Sequence, residues 1–405
     1  MNFNYHLPVN LAFGRGRFAE LGQTTATWGR RALVVCVDGS ATRPGGFVDR
    51  ACENLQAAGV TPTVFSGVVA NPTFAVVDAG VAALRAADCD VVVGIGGGSP
   101  LDAAKAIAFA ALNAGDMADY IFGRVAPGDA LPLVLVPTTA GTGSEGNGFA
   151  VLTDTRTGDK KSLRGPMIIA RTSLIDSELS QTMPARVLAA TGFDALTHCF
   201  EAALSATANP VTTAQALSGI RLIRDSLPAL YADKLQAAGS VDTSAGEHER
   251  CTLPADAACV LWDKLAWAAT LGGMAIGGAG VTVAHGLEHP ASGLKDITHG
   301  AGLAAITPAV FELTLERADG NLRAQEQLGA LAGACGLDSR DALPRFVREF
   351  LADIGLDVTL GQLGIAADDI DWMAENALKV SSPGIASHPV PFDIDDIKEI
   401  YRRSL

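Results

Sequence analysis

Apolar runs of strand length alternate with helix-length segments through the first third of the chain, and this alternation is what most constrains the fold. Residues 31–37 read R-A-L-V-V-C-V and end in Asp38-Gly39-Ser40, the pattern of a buried strand and a turn. A helical period follows over 46–58, then a strand over 61–65. Asn71-Pro72-Thr73 starts a helix that continues over 76–87. Residues 90–95 (D-V-V-V-G-I) form the next strand, 100–113 a helix with proline in its first turn, and 131–136 another strand. Strands apolar on both faces, joined by helix-length crossovers, build a parallel sheet covered on each side. Residues 1–12 are extended and mixed, an opening strand or hairpin.

The alternation fades near Met183-Pro184. Beyond it the segments 185–205, 208–231, 255–284, 300–317, 321–336, 340–354, 366–378 and 393–403 read as helices. A chain of 405 residues exceeds one ordinary core. The expected division is an α/β domain over 1–184 and an all-helical domain over 185–405. Residues 237–254 are polar and turn-rich, a loop or insertion. Residues 265–284 carry no charge and reach membrane-span length, but their glycines favour a buried helix with Gly273 and Gly277 at a close contact.

The net charge of −14, with no basic block, argues against nucleic acid as a partner. No basic start precedes an apolar run, so no signal peptide is evident and a cytoplasmic location is expected. The seven cysteines are odd in number and form no C-x-x-C pair, which suits reduced thiols. Cys199 follows His198 directly. One helical step turns it about 100° away, so it reads as a packed thiol.

Three features of the first domain suit a dinucleotide. Gly94-Ile95-Gly96-Gly97-Gly98-Ser99-Pro100 joins a strand to a helix, where backbone amides and the helix dipole can meet pyrophosphate. It departs from G-x-G-x-x-G at Ser99 and lacks the G-K-[ST] of a Walker loop; tight packing alone would also account for the glycines. Asp38, at a strand end, can bind ribose hydroxyls and would repel a 2′-phosphate, or it can be an ordinary turn aspartate. The segment 137–145, P-T-T-A-G-T-G-S-E, lies where open α/β sheets line their ligand crevice.

The second domain holds four of the seven histidines: His198, His285, His289 and His299. Asp194 and His198, four apart, share a helix face, a spacing also common between mere surface neighbours. With His285 and His299 they offer a carboxylate and three imidazoles, a set that fits zinc or ferrous iron rather than calcium or magnesium. His285-Gly-Leu-Glu-His289 also matches the H-x-x-E-H of a zinc peptidase. Pro290 is expected to break the helix that reading needs, and the glycine loop would go unexplained. On the first reading Glu288→Gln should leave metal content largely intact.

Together, G-G-G-S-P-L-D-A-A-K, P-T-T-A-G-T-G-S-E, D-A-L-T-H-C-F-E and H-G-L-E-H-P with its later H-G resemble the iron-containing (group III) alcohol dehydrogenases over essentially the whole chain. The resemblance implies a dehydroquinate synthase-like fold, with a Rossmann-like parallel-sheet domain, an all-α domain and an active site in the cleft between. It implies that Asp194, His198, His285 and His299 hold the metal, ferrous iron with zinc as the alternative. It assigns Gly96, Gly97, Gly98 and Ser99 to the pyrophosphate of NAD, and brings Asp102, Thr138, Thr139, Ser144 and either Lys160 or Lys161 to the cofactor. Asp38 matches the position that favours NAD over NADP, and His289 a proton carrier near the substrate. The implied activity is interconversion of a small alcohol and its aldehyde or ketone by a homodimer or higher homo-oligomer. Glycerol dehydrogenase-like or dehydroquinate synthase-like chemistry on the same fold is the alternative, although the latter's anionic substrate would call for more Arg and Lys than Lys295 near the ligands. The segments 145–148 and 237–254 depart from the family's usual pattern.

Overall fold

The computed structural model describes residues 2–39, 42–239 and 253–405. The chain divides into two compact units, Asn2–Ser180 and Gln181–Leu405.

Among the described residues the first unit contains eight strands: β1 (Asn10–Phe13), β2 (Arg31–Val37), β3 (Thr61–Val68), β4 (Val91–Gly96), β5 (Leu133–Pro137), β6 (Phe149–Asp154), β7 (Asp159–Arg164) and β8 (Thr172–Ile175). Six form a wholly parallel sheet in the order β1-β8-β5-β4-β2-β3. Its helices are α1 (Leu21–Ala26), α2 (Phe47–Ala57), α3 (Phe74–Ala86), α4 (Gly98–Ala110), α5 (Met117–Ile121) and α6 (Ser177–Ser180). Successive side chains of a strand face opposite ways, and the core divides accordingly. Leu33, Val35, Val92, Leu133 and Leu135 pack with Leu84, Ile107 and Phe109 of α3 and α4. Val34, Cys36, Val91, Val93, Val134 and Val136 pack with Leu21 and Leu55 of α1 and α2.

The run from β2 to β3 goes one way along the sheet, and β4 lies on the other side of β2. This reversal is where open α/β sheets leave a crevice at their carboxyl ends. Asp38 and the glycine turn stand at those ends. The expected strand over 61–65 runs on to Val68, and the opening strand is confined to 10–13. The β6–β7 hairpin is antiparallel and separate from the main sheet.

The second unit is helical: α7 (Ala185–Leu204), α8 (Pro210–Gly239), α9 (Ala255–Ala279), α10 (Val283–Lys295), α11 (His299–Arg317), α12 (Leu322–Cys335), α13 (Leu343–Asp353), α14 (Ile370–Ala386) and α15 (Ile394–Ser404). Several expectations need correction. The helix over 255–284 is two, α9 and α10, bent by 102°. Gly280, at φ +72°, supplies the left-handed turn between them. α10 runs through Pro290 to Lys295, so proline does not break it. The lost Gly286 hydrogen bond costs ~3 kcal/mol in an exposed helix; here every residue from Val283 to Ser292 is buried, and packing holds the backbone. Finally, α8 extends through residues 237–239, expected as loop; residues 240–252 of that segment lie outside the described residues.

Gly277 is exposed rather than packed. The close contact belongs to Gly272, where a Cβ would lie 3.2 Å from the Ala195 carbonyl and 3.4 Å from His198 Cβ. Among the described residues no single helix is long and apolar enough to cross a membrane; α9 and α10 reach that composition only as a bent pair.

Candidate metal centre and nucleotide site

On α7, Asp194, His198 and Glu201 stand at i, i+4 and i+7, so all three share one face. Nearly every residue of this helix is buried, which carries these polar groups inward. Gly272 lets α9 close on His198, while Cys199 lies wholly buried between Gly219 and Gly272, the packed thiol expected. Burial pushes that thiol up to about 12. His285 is in the first turn of α10 and His299 is the first residue of α11. Gly300 is required where α11 meets α7, because a Cβ there would lie 2.1 Å from the Ala190 carbonyl oxygen.

These elements converge on one oxygen. Asp194 Oδ1 lies 3.3 Å from His285 Nε2, 3.5 Å from His198 Nε2 and 3.6 Å from His299 Nε2. Four ligands held tetrahedrally at about 2.0–2.2 Å from one ion are separated by about 3.3–3.6 Å, so each of these three distances to Asp194 Oδ1 is one that a shared cation would set. Donor atoms of Asp194, His285 and His299 all lie within 4.8 Å of one another; His198 meets the carboxylate but stands outside that group of three. Its ring stacks on His285 at 4.6 Å between centroids.

Two carboxylates fix the imidazoles from behind. His285 Nδ1 hydrogen-bonds Glu201 Oε2, and His299 Nδ1 hydrogen-bonds Glu288 Oε2. With the ring hydrogen at Nδ1, each Nε2 lone pair points towards Asp194. Glu201 Oε1 also accepts from the Thr282 and His285 amides, at 3.0 and 3.3 Å, and so caps α10. Asp194 Oδ1 and His285 Nε2 have no hydrogen-bond partner among the described residues. An oxygen facing three ring nitrogens is a place for positive charge, a proton or a cation.

The electrostatics agree. Burial pushes the Asp194 carboxyl up, but His198, His285 and His299 outweigh it and hold it below the usual carboxylate range. Burial pushes His198 down to about 4, leaving it neutral. Burial would lower His285 as well; Glu201 and Asp194 instead raise it to about 10, so a proton and a cation compete for Nε2. The donor set therefore fits iron or zinc.

The sequence reading missed Glu201 and gave Glu288 no part in the metal site. The available signals were Glu201's place at i+7 from Asp194 and its position in D-A-L-T-H-C-F-E. The peptidase rival loses its ground here: α10 does continue past Pro290, but Glu288 is engaged by His299. His289 is buried with its ring 5.9 Å from His299 and 6.4 Å from His285, outside the group of three.

In the α/β unit, β4 ends at Gly96, whose φ of +145° turns the chain into α4. A Cβ at Gly97 would meet Thr139 at 3.2 Å, and one at Gly98 would meet Thr142 at 2.6 Å. The glycines thus serve close packing of the 138–143 loop, and they also leave the first amides of α4 at a strand's carboxyl end. The Thr138 amide donates to the Gly96 carbonyl at 2.9 Å, tying the two turns together.

Lys105 is a residue the sequence reading overlooked. Wholly buried, it donates to Ser144 O and Oγ, Asn147 Oδ1 and Phe149 O at 2.6–3.2 Å. Asp102 accepts from Ser144 Oγ at 2.7 Å and the Val151 amide at 2.9 Å. The Ser144 hydroxyl is thus engaged in locking its loop onto α4. Burial pushes Lys105 down to about 8 and Asp102 up, each opposed by the other's charge. Lys160 and Lys161 alternate on β7. Lys160 is buried with its charge acting on Asp102, whereas Lys161 lies 5.4 Å over the Phe122 ring. Asp38 is exposed and accepts from Thr42 Oγ1 at 2.8 Å; that hydroxyl and the Gly39 amide hold its carboxyl below the usual range.

A sheet with a glycine turn at its carboxyl ends and a helical unit with a carboxylate–imidazole centre are parts that a metal- and nucleotide-dependent oxidoreductase would need. Comparison with known proteins sharpens that class. The model of iron-containing alcohol dehydrogenases matches residues 8–177, and that of the family's C-terminal region matches 188–245 and 253–405. The 1,3-propanediol dehydrogenase of Citrobacter freundii is 33% identical over 99% of this chain and 98% of its own. The NAD-dependent methanol dehydrogenase of Bacillus methanolicus is 28% identical over 99% of this chain and 100% of its own. A crystal structure of 1,3-propanediol oxidoreductase superposes with a TM-score of 0.86 at 32% identity, covering 100% of both chains. An archaeal alcohol dehydrogenase from a Red Sea brine pool gives 0.87 at 29% identity, over 100% of this chain and 99% of that one. The chain belongs to the iron-containing alcohol dehydrogenase family. It is an iron-type alcohol oxidoreductase, of a family that uses NAD(H) and iron.

Proposed function

We propose that the enzyme interconverts a small alcohol and its aldehyde or ketone, with Asp194, His198, His285 and His299 as the metal's protein ligands. The observation that carries this is the convergence of three Nε2 atoms on Asp194 Oδ1 at 3.3–3.6 Å. When bound, the cation stabilises an alkoxide and polarises a carbonyl, and the nicotinamide accepts or returns hydride.

The chain's own residues hold and orient. Glu201 and Glu288 keep the His285 and His299 hydrogens at Nδ1, which leaves both Nε2 atoms as donors to the metal. His289, beside the ligand imidazoles, carries the alcohol's proton away. Gly96, Gly97, Gly98 and Ser99 present backbone to pyrophosphate, Asp38 accepts from ribose hydroxyls, and Thr138, Thr139 and Lys160 line the nucleotide. Asp102, Lys105 and Ser144 hold the loop that carries the threonines.

In this reading residues 1–184 bind NAD and 185–405 supply the metal and its chemistry, within a cytoplasmic homo-oligomer. The named relatives make short alcohols and diols the substrates to try first. A panel of methanol, ethanol, 1-butanol and 1,3-propanediol, read by NADH absorbance with ferrous iron added, should give turnover with at least one. No NADH from any, with metal bound, rejects the reading.

A further inference from the structure

We propose that His388 is a positioning residue for the metal centre, acting through Thr282 and Glu201 on His285; the inference rests on the metal-centre reading above. His388 follows α14 and is buried at 5% exposure. Its Nδ1 lies 3.3 Å from Thr282 Oγ1, and its Nε2 lies 3.0 Å from Thr314 Oγ1. Turning the ring over would set carbon atoms against both hydroxyls, so the two contacts fix its orientation.

Hydrogen accounting then fixes a direction. Thr282 Oγ1 donates its single hydrogen to Glu201 Oε1 at 3.0 Å, because an ionised carboxylate only accepts. Towards His388 the same oxygen can only accept, so the ring hydrogen must sit on Nδ1. Burial pushes His388 down to about 4, so the ring is neutral and carries one hydrogen. Nε2 is left as an acceptor. Thr314 Oγ1, which donates to Val310 O at 2.6 Å, lies 3.0 Å from His388 Nε2 on the far side of the ring.

The result is a one-way chain. His388 Nδ1 donates to Thr282 Oγ1 and Thr282 Oγ1 to Glu201 Oε1, while the other oxygen of Glu201 accepts from His285 Nδ1. Hydrogen bonds that all run in one direction polarise one another. Here they hold the Glu201 carboxylate in place and keep the His285 hydrogen on Nδ1. Partners behind a ligand typically carry about 10–100-fold in metal affinity. His388 is a further step removed, so about tenfold is expected.

The test is zinc affinity by competition with a chromophoric chelator, run on the full chain with circular dichroism beside it. His388→Leu removes both ring nitrogens and should weaken zinc about tenfold. Thr282→Val breaks the same chain one link later and should do likewise, and the double variant should lose no more than either alone. His388→Asn restores an N–H where Nδ1 stood and should recover most of the affinity, which a merely space-filling role would not predict. Wild-type affinity in His388→Leu, fully additive losses, or no recovery by asparagine overturns the relay while the metal centre stands. A wild-type chain that binds no zinc overturns both.

Discussion

The carboxylate of Asp38 stands one residue past β2, exposed and bonded to Thr42 Oγ1. An exposed charge is screened by water and salt, so its repulsion of a 2′-phosphate should be worth about tenfold in kcat/KM rather than several orders. Asp38→Gly is expected to lower the ratio of NAD to NADP use by that factor and leave metal content unchanged. A wild type that prefers NADP, or a ratio that does not move, makes Asp38 a turn residue only. Glu288 is the other residue whose role changes. The sequence suggested that Glu288→Gln would spare the metal; the bond to His299 Nδ1 reverses that expectation. Glutamine still accepts the hydrogen but brings no charge, so bound metal should be held about tenfold less tightly while the fold is retained. Equal metal affinity in the variant would mean that Glu288 serves packing alone.

At the scale of elements, what decides the site is where helices begin and how closely they meet. α11 starts at His299 against α7, and Gly300 has no room for a side chain: its Cβ would lie 2.1 Å from a backbone oxygen. Gly300→Ala should therefore push the start of α11 away from α7 and carry His299 off Asp194. Metal analysis should show most of the ion lost while circular dichroism keeps its helical signal; full metal content would show that α11 can shift at no expense to the centre. The period of the chain revealed strands β2, β4 and β5 because they are apolar on both faces. It did not reveal β7, whose D-K-K-S-L-R is polar and is held by pairing with β6 and by Lys160 turning inward. The bend between α9 and α10 was hidden for a related reason. Apolar composition continues across residues 265–284, and only the positive φ of Gly280 separates two buried helices from one. The four ligand candidates were legible because their chemistry is rare and clustered. Glu201 left a signal in its shared face with Asp194, but the partners of Glu201, Glu288, Lys105 and His388 are distant in sequence or one turn away, and no spacing announces them.

For the whole molecule, the metal and the nucleotide should stabilise different units. All the converging donors belong to Gln181–Leu405, and all the proposed nucleotide contacts to Asn2–Ser180. A ligand that binds only folded protein adds stability by mass action, about 4 kcal/mol at a thousandfold excess over its dissociation constant. Without a cation, Asp194 Oδ1 faces three imidazole nitrogens, and a proton must take the vacant role at His285. That substitute is one charge poorer than a divalent ion and can satisfy one nitrogen rather than three. Chelation should accordingly loosen the helices that carry the donors. In hydrogen exchange read by mass spectrometry, removing the metal should speed exchange in peptides from α7, α10 and α11 and leave β4 and α4 unchanged. NADH added to the metal-free protein should slow exchange around residues 94–105 and 138–148 and leave α10 unchanged. If chelation speeds exchange equally in both units, or in neither, the assignment of the metal to the helical unit is wrong.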